Sequence, residues 1–467
     1  MKNISTEALI ILIVIVYSIL LLTQGSLDPV MEPDSASYLL FLPSRTAGYP
    51  LFLRLVGLPS LVWVQTLLYA ATAGGLGIVV FHVFRQAVPA ILLVLALCAN
   101  PELSKYHAHV MTESLFVSVL TAYLASAILL VHRPTGTRVV IAAVLVALTA
   151  VIRPAAYGLI PVLVGLVLLN RRRYAAAAWR PLVASLLIPL VMVGTERLYS
   201  ASVHGGAETS LAGRHFFAKA AMIDAPPGLG ATESSPVRKA LFEALEQDFA
   251  PIRTLLQQAT APSVYAVLEP NFETCVEYAC ADDLRRRIDL PAPALNQAML
   301  AVALARMQSA PGATLMLAWR HYRALWTLYS QSHPALAPMF DGFIAAHQPL
   351  PFAPFLPASL SEPTPVSRLA TFVRPAITAV GWITGLLALI GVVAVIRGDT
   401  APRWQVAGFA AACVHLSFVL IAFTGVGIPR YTVSMWPAMM LALIMALSAI
   451  AAPGGRVGRP RLHTNPQ

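Results

Sequence analysis

Apolar residues run together at 8–22, 61–84, 88–99, 110–131, 139–152, 157–169, 181–198, 376–396, 406–423 and 433–450, with polar turns between them. Most of these runs approach the ~20 residues that a helix needs to cross a bilayer, and three short ones must recruit their flanks. The pattern therefore predicts an all-α, polytopic membrane protein of about ten transmembrane helices. Two polar stretches interrupt the series. One is a first loop at 24–60, and the other is a long region at 200–375, where amphipathic segments such as 237–250 predict a mostly helical extramembrane part. Three parts follow: an N-terminal transmembrane module (1–199), the helical region (200–375), and C-terminal transmembrane helices with a tail (376–467). The helical region shows no obvious core of its own. Its segment 314–329, where Trp319, His321, Tyr322, Arg323 and Trp326 alternate aromatic and cationic character, predicts a helix lying in the headgroup layer.

Composition agrees with lipid as the solvent for much of the chain: 57% of the 467 residues are hydrophobic and 12% charged, and the mean hydropathy is +0.70. The net charge of +10 does not point to nucleic acid, because the basic residues gather at the ends of apolar runs, where they set orientation. Arg85, Arg133 and Arg138, Arg171 to Arg173 with Arg180, Arg397 and Arg403, and the Arg456, Arg459 and Arg461 tail all fall on one side of the predicted layer. With that side cytoplasmic, both termini are inside, and the loops 24–60 and 200–375 face outward. The first run has no clean cleavage pattern after it and reads as a retained anchor. No internal repeat, heptad or low-complexity tract appears.

The polar residues on the outward side are the candidates for chemistry. Glu32, Asp34, Arg45 and Arg54 stand among apolar residues in the first loop. Partial desolvation beside the membrane raises carboxylate pKa values, which makes either acid a candidate base. Asp34 is also well placed to cap a helix starting at Ser35, as Asp does readily. Glu113 opens the fourth run, as an acid for chemistry or as a complement to the helix dipole. His107 and His109, one residue apart, point to different faces of a helix and read as hydrogen-bonded or surface groups rather than metal ligands. Arg153 and Arg430 run against the bias that places the other arginines. With Arg45 and Lys105 they could converge on a phosphate at the membrane surface, since a guanidinium fork matches phosphate oxygens; alternatively each anchors to lipid headgroups.

In order along the chain, Pro33-Asp34-Ser35 with Tyr38-Leu39, Arg45 with Gly48-Tyr49-Pro50-Leu51-Phe52, Met111-Thr112-Glu113-Ser114-Leu115-Phe116, Arg153-Pro154 and Pro429-Arg430-Tyr431 resemble the GT-C superfamily of polyprenyl-phosphate-sugar-dependent glycosyltransferases. The branch most similar is that of bacterial aminoarabinose lipid A transferases and protein mannosyltransferases. The resemblance covers roughly the first 170 residues and the last spans. It implies an inverting transfer from a polyprenyl-phosphate donor to a lipid, polysaccharide or protein acceptor, at the outer face of a bacterial inner membrane. It also implies Asp34 as general base, within a Glu32-Pro33-Asp34 pattern, and Glu113 as the second catalytic acid. Arg45, Lys105, Arg153 and Arg430 would bind the donor phosphate, and Glu32, Tyr38, Tyr49 and Tyr431 would line the pocket. No cofactor is required with a monophosphate donor; a divalent cation becomes relevant with a pyrophosphate donor.

Two other classes compete with an enzyme: a lipid or glycolipid transporter, which calls for charges buried midway along spans, and an assembly factor without chemistry. Separately, Cys275 and Cys280 share one outward segment and are predicted to pair as a disulfide.

Overall fold

The fold is that of a computed structural model, which describes residues 5–451 apart from 26, 33, 175–178, 206–209, 260–267, 269–270, 273–279, 328–364 and 398–401. The described residues are helical and hold no β-strand. In chain order the N-terminal module comprises α1 (Thr6–Gln24), α2 (Ser35–Leu39), α3 (Gly48–Val56), α4 (Leu58–Phe84), α5 (Ala87–Cys98), α6 (Pro101–Lys105), α7 (Thr112–His132) and α8 (Gly136–Ile152). A 3-10 turn (Pro154–Gly158) then leads into α9 (Leu159–Leu169) and α10 (Trp179–His204). The outer region contributes α11 (Ala212–Ala221), α12 (Pro236–Gln247), α13 (Ala250–Gln258), α14 (Cys280–Arg287), α15 (Ala292–Ser309) and α16 (Pro311–Thr327). The chain returns through α17 (Pro365–Ile396), α18 (Pro402–Thr424), α19 (Pro429–Ser434) and α20 (Trp436–Ala451).

Every predicted apolar run is a helix, but the helices are of two kinds. Among the described residues six are long and apolar enough to cross a membrane: α1, α4, α7, α10, α18 and the part of α17 from Pro375. The protein is thus membrane-embedded. The helices α5, α8, α20 and Pro154–Leu169 are shorter. At 1.5 Å per residue the 12 residues of α5 reach about 18 Å, against a hydrocarbon layer of ~30 Å.

The helix at the centre is α7, with 78% of its apolar window buried against 17% for α1. Its polar residues do not oppose that burial, because the hydroxyls of Ser118 and Thr121 donate to the carbonyls of Ser114 and Val117 one turn back, at 2.9 and 2.7 Å. Close contact between α17 and α18 depends on a glycine pair. A Cβ on Gly391 would lie 2.4 Å from the Cα of Gly408, so these backbones approach as only small residues permit. At the Arg-marked end, Arg138 donates to the carbonyls of Leu129 and Arg133 at 2.6 and 2.9 Å, and Arg173 to that of Val131 at 2.9 Å. These guanidinium groups satisfy carbonyls left open where α7 ends.

The outer region departs from expectation in one respect. It has a core of its own, in which Phe217, Leu241, Phe249, Ile252, Leu295 and Met299 are buried together. The amphipathic face of α12 finds its partners there rather than on the membrane. Residues 314–327 of the predicted segment 314–329 form part of α16 (Pro311–Thr327). Its Leu317 and Ala324 enter the outer core, and Leu325 and Trp326 enter the membrane core, so it seals the two together. The predicted Cys275–Cys280 disulfide falls outside the described residues, as do Cys275 and the side chain of Cys280.

Candidate active site

The first loop is built so that its polar residues face α7. The backbone of Val30 bridges the segment before α7, donating to Ala108 O at 2.8 Å and accepting from the Val110 amide at 3.0 Å. Ser35 Oγ donates to Val110 O at 2.9 Å. The other end of the loop is held where α8 ends: Thr46 Oγ1 donates to Ile152 O at 3.0 Å. A Cβ on Gly48 would meet Val151 O at 2.5 Å, so only glycine allows α3 this close to α8. Glu196, buried near the end of α10, accepts the Ala47 amide at 2.8 Å and caps α3 from outside. These ties bring Asp34 and Arg45 beside Glu113 and Arg153.

The result is a chain of alternating charges drawn from four parts of the sequence. Arg45 Nη2 donates to Asp34 Oδ1 at 2.6 Å. Arg430 Nη1, on α19, donates to Asp34 Oδ2 at 3.0 Å. Arg430 Nε lies 3.9 Å from Glu113 Oε1, and Arg153 Nη1 lies 3.0 Å from the same oxygen, in an ion pair without hydrogen-bond alignment. Arg153 Nη1 also donates to Ser434 Oγ at 3.1 Å. Aromatic rings back the cations: Arg45 lies over Tyr38 at 4.6 Å and Arg153 over Tyr431 at 4.6 Å. Tyr49 stands behind, edge-on to Tyr38 with ring centres 5.3 Å apart.

Asp34 does occupy the position preceding α2, but its side chain makes no capping bond; both carboxylate oxygens go to arginines. Burial alone would raise its pKa, and the Arg45 and Arg430 guanidinium groups outweigh that, holding the carboxyl well below the usual carboxylate range. The charged state of Arg430 is correspondingly favoured: desolvation opposes it, and Asp34 and Glu113 more than compensate. A carboxylate held this low is a weak proton acceptor as it stands.

Two predicted members stand elsewhere. Lys105 pairs with Glu102 at 2.5 Å on the surface, the acid that the i,i+3 spacing on α6 places beside it. Glu32 pairs with His109 at 2.7 Å, because the Val30 bridge puts it beside residue 109. Among the described residues no three His, Cys, Asp or Glu side chains form a group able to hold a metal ion.

Sequence reasoning missed several supports. Ser37 receives Arg45 Nε at 2.7 Å, and Ser434 steadies Arg153. His107, read from the sequence as a hydrogen-bonded or surface group, is hydrogen-bonded and buried between Tyr17 (3.0 Å) and Ser114 (2.7 Å). Burial pushes its imidazole down to about 3, so it is a neutral link that fixes the start of α7. Gln65 donates to the carbonyls of His107 and His109 at 2.9 and 3.2 Å. Glu196, the acceptor of the Ala47 amide, was missed as well, although it carried a legible signal as an acid inside an apolar run. Comparison with protein-family models, with curated proteins and with solved structures finds no match to this chain.

Proposed function

We propose that the protein is an inverting GT-C-type glycosyltransferase with about ten spans, moving a sugar from a polyprenyl-phosphate donor to an acceptor at the outward face of a bacterial inner membrane. The observation that carries this reading is the convergence of Arg45, Asp34, Arg430, Glu113 and Arg153 at one end of the membrane helices. A cationic cluster of this kind, beside a carboxylate and within reach of the bilayer surface, suits a lipid phosphate as leaving group.

In this reading Asp34 takes the proton of the acceptor hydroxyl or amine. The freed lone pair attacks the anomeric carbon, the bond from that carbon to the phosphate oxygen breaks, and its electron pair leaves with the lipid phosphate. Arg45 and Arg430 stabilise the charge that grows on that oxygen. Glu113 and Arg153 act as positioning residues: buried together behind Arg430, they fix where its guanidinium points. Tyr38 and Tyr431 hold the guanidinium planes. The acceptor class, whether lipid, polysaccharide or protein, would be chosen by the outer helical region.

Transport is the less favoured reading, since the charged residues of the cluster lie at helix ends and in loops, away from mid-span positions where a substrate path needs them. The deciding experiment is transfer from radiolabelled polyprenyl-phosphate sugars in membranes carrying wild-type or Asp34→Asn protein at matched levels. Wild type should form product, and the variant should lose it by about 100-fold or more, the range for a missing general base. Undiminished product from the variant would remove Asp34 from the reaction.

A further inference from the structure

The resting arrangement poses a problem for the base assignment, since both Asp34 oxygens are held by guanidinium groups at 2.6 and 3.0 Å. Among the described residues three guanidinium groups, on Arg45, Arg430 and Arg153, meet two carboxylates, on Asp34 and Glu113. These side chains differ in exposure. Glu113 and Arg153 are sealed in, with side chains 1% and 9% exposed, whereas Asp34, Arg45 and Arg430 are 18%, 24% and 31% exposed. Arg430 Nε, moreover, is buried and has no hydrogen-bond partner, because 3.9 Å to Glu113 is too long for one.

From this geometry we infer that Asp34 is the resident counter-anion of a phosphate site formed by Arg45 and Arg430, and that an arriving phosphate ester displaces it. The arginines would stay in place through the exchange. Arg45 keeps Ser37, 2.7 Å from its Nε, and the Tyr38 ring beneath it. Arg430 keeps the buried Glu113. A phosphate presents more acceptor oxygens and more negative charge than a carboxylate, so it competes for the same two guanidinium groups. The displaced carboxylate, relieved of two cations, recovers the basicity of an ordinary acid beside the bound donor. Donor binding and base activation thus become one event, and water meets no active base while the site is empty of donor.

The inference rests on the proposed function only for the identity of the anion's carrier, and its test needs no sugar transfer. The probe is farnesyl phosphate, titrated into the detergent-purified full chain with affinity read by calorimetry, beside inorganic phosphate at matched concentrations. A site that competes with its own carboxylate has its apparent affinity reduced by the fraction of time it is self-occupied. Asp34→Asn should therefore bind farnesyl phosphate more tightly than wild type, by about tenfold for a site self-occupied nine-tenths of the time, although it cannot turn over. Arg45→Gln and Arg430→Gln should each bind at least about tenfold more weakly, as the loss of a charge-assisted contact requires. If Asp34→Asn does not fold, Asp34→Ser carries the same prediction.

The same order of variants with inorganic phosphate bound as tightly as the prenyl ester supports the exchange and assigns the site to free phosphate; preference for the ester supports it with a lipid source. Equal or weaker binding by the Asp34 variants overturns the exchange, as does an absence of phosphate binding in all forms. A tighter Asp34→Asn together with no transfer by wild type would sink the glycosyltransferase reading and leave the exchange standing. The opposite order in an active transferase would sink the exchange alone.

Discussion

The two halves of the charge chain contain the same chemical groups, yet they differ in what surrounds them. Glu113 and Arg153 are buried between α7, α8 and the C-terminal helices, with Ser434 and the Tyr431 ring completing their shell. Asp34, Arg45 and Arg430 face partly outward. A buried pair can be neither separated nor half removed without leaving an uncompensated charge in a poorly solvated place. The outer trio, in contact with solvent, can exchange one anion for another. The difference teaches that carboxylates 79 residues apart in the sequence, both predicted to be catalytic, divide into a fixed support and an exchangeable edge. The division is made by burial and not by residue type.

The strongest way to break this comparison is on the buried side. Glu113→Gln leaves Arg153 without its counter-ion, and unfolding of the purified protein followed by temperature or denaturant should show a loss of about 3–5 kcal/mol. A loss as small as that of an exposed pair, under about 1 kcal/mol, would mean that Glu113 is not the support described.

The outer side is sharpened by pH. Because the folded pKa of Asp34 is depressed, the stability from its ion pairs is fully present above the unfolded carboxyl value of about 3.9 and is lost only as pH falls through the lower folded value. The stability difference between wild type and Asp34→Asn, measured in a pH series, should therefore be constant from about pH 5 to 8 and shrink only below about 4. A difference that vanished between about pH 7 and 5 would show the carboxyl to be raised, as burial alone would have it.

The smallest effect belongs to Lys105, which lies outside both halves. Lys105→Ala removes an exposed i,i+3 pair with Glu102, so stability should change by less than about 1 kcal/mol, and farnesyl phosphate affinity should stay within about twofold of wild type, a shift of ~0.4 kcal/mol. A large loss of affinity would return Lys105 to the phosphate site.

Much of this arrangement was legible in the linear sequence. The apolar runs gave helices with nearly the predicted bounds, because a helix in lipid must satisfy its own backbone and hydropathy reports that directly. Arg153 and Arg430 stood out for lying at the wrong end for orientation. Glu113 was marked as an acid opening an apolar run, and the Asp34 to Tyr49 stretch as a polar loop that needed a reason. The structure brings four of these together, while Lys105 pairs with a surface acid three residues away.

What the sequence by itself determined is a helical membrane protein with its unexplained charges at one end, since periodicity and hydropathy are local properties that survive without a fold. Which arginine meets which acid was decided only by the tertiary structure. Asp34 and Arg430 are 396 residues apart, and no local pattern encodes their contact. Nor could spacing reveal that the outer helices have their own core, or that α16 joins it to the membrane core, because both depend on which apolar faces meet. The depressed pKa of Asp34 and the burial of Glu113 follow from the same cause: electrostatics inside a protein depends on distance and solvent exposure, and both exist only once the chain is packed.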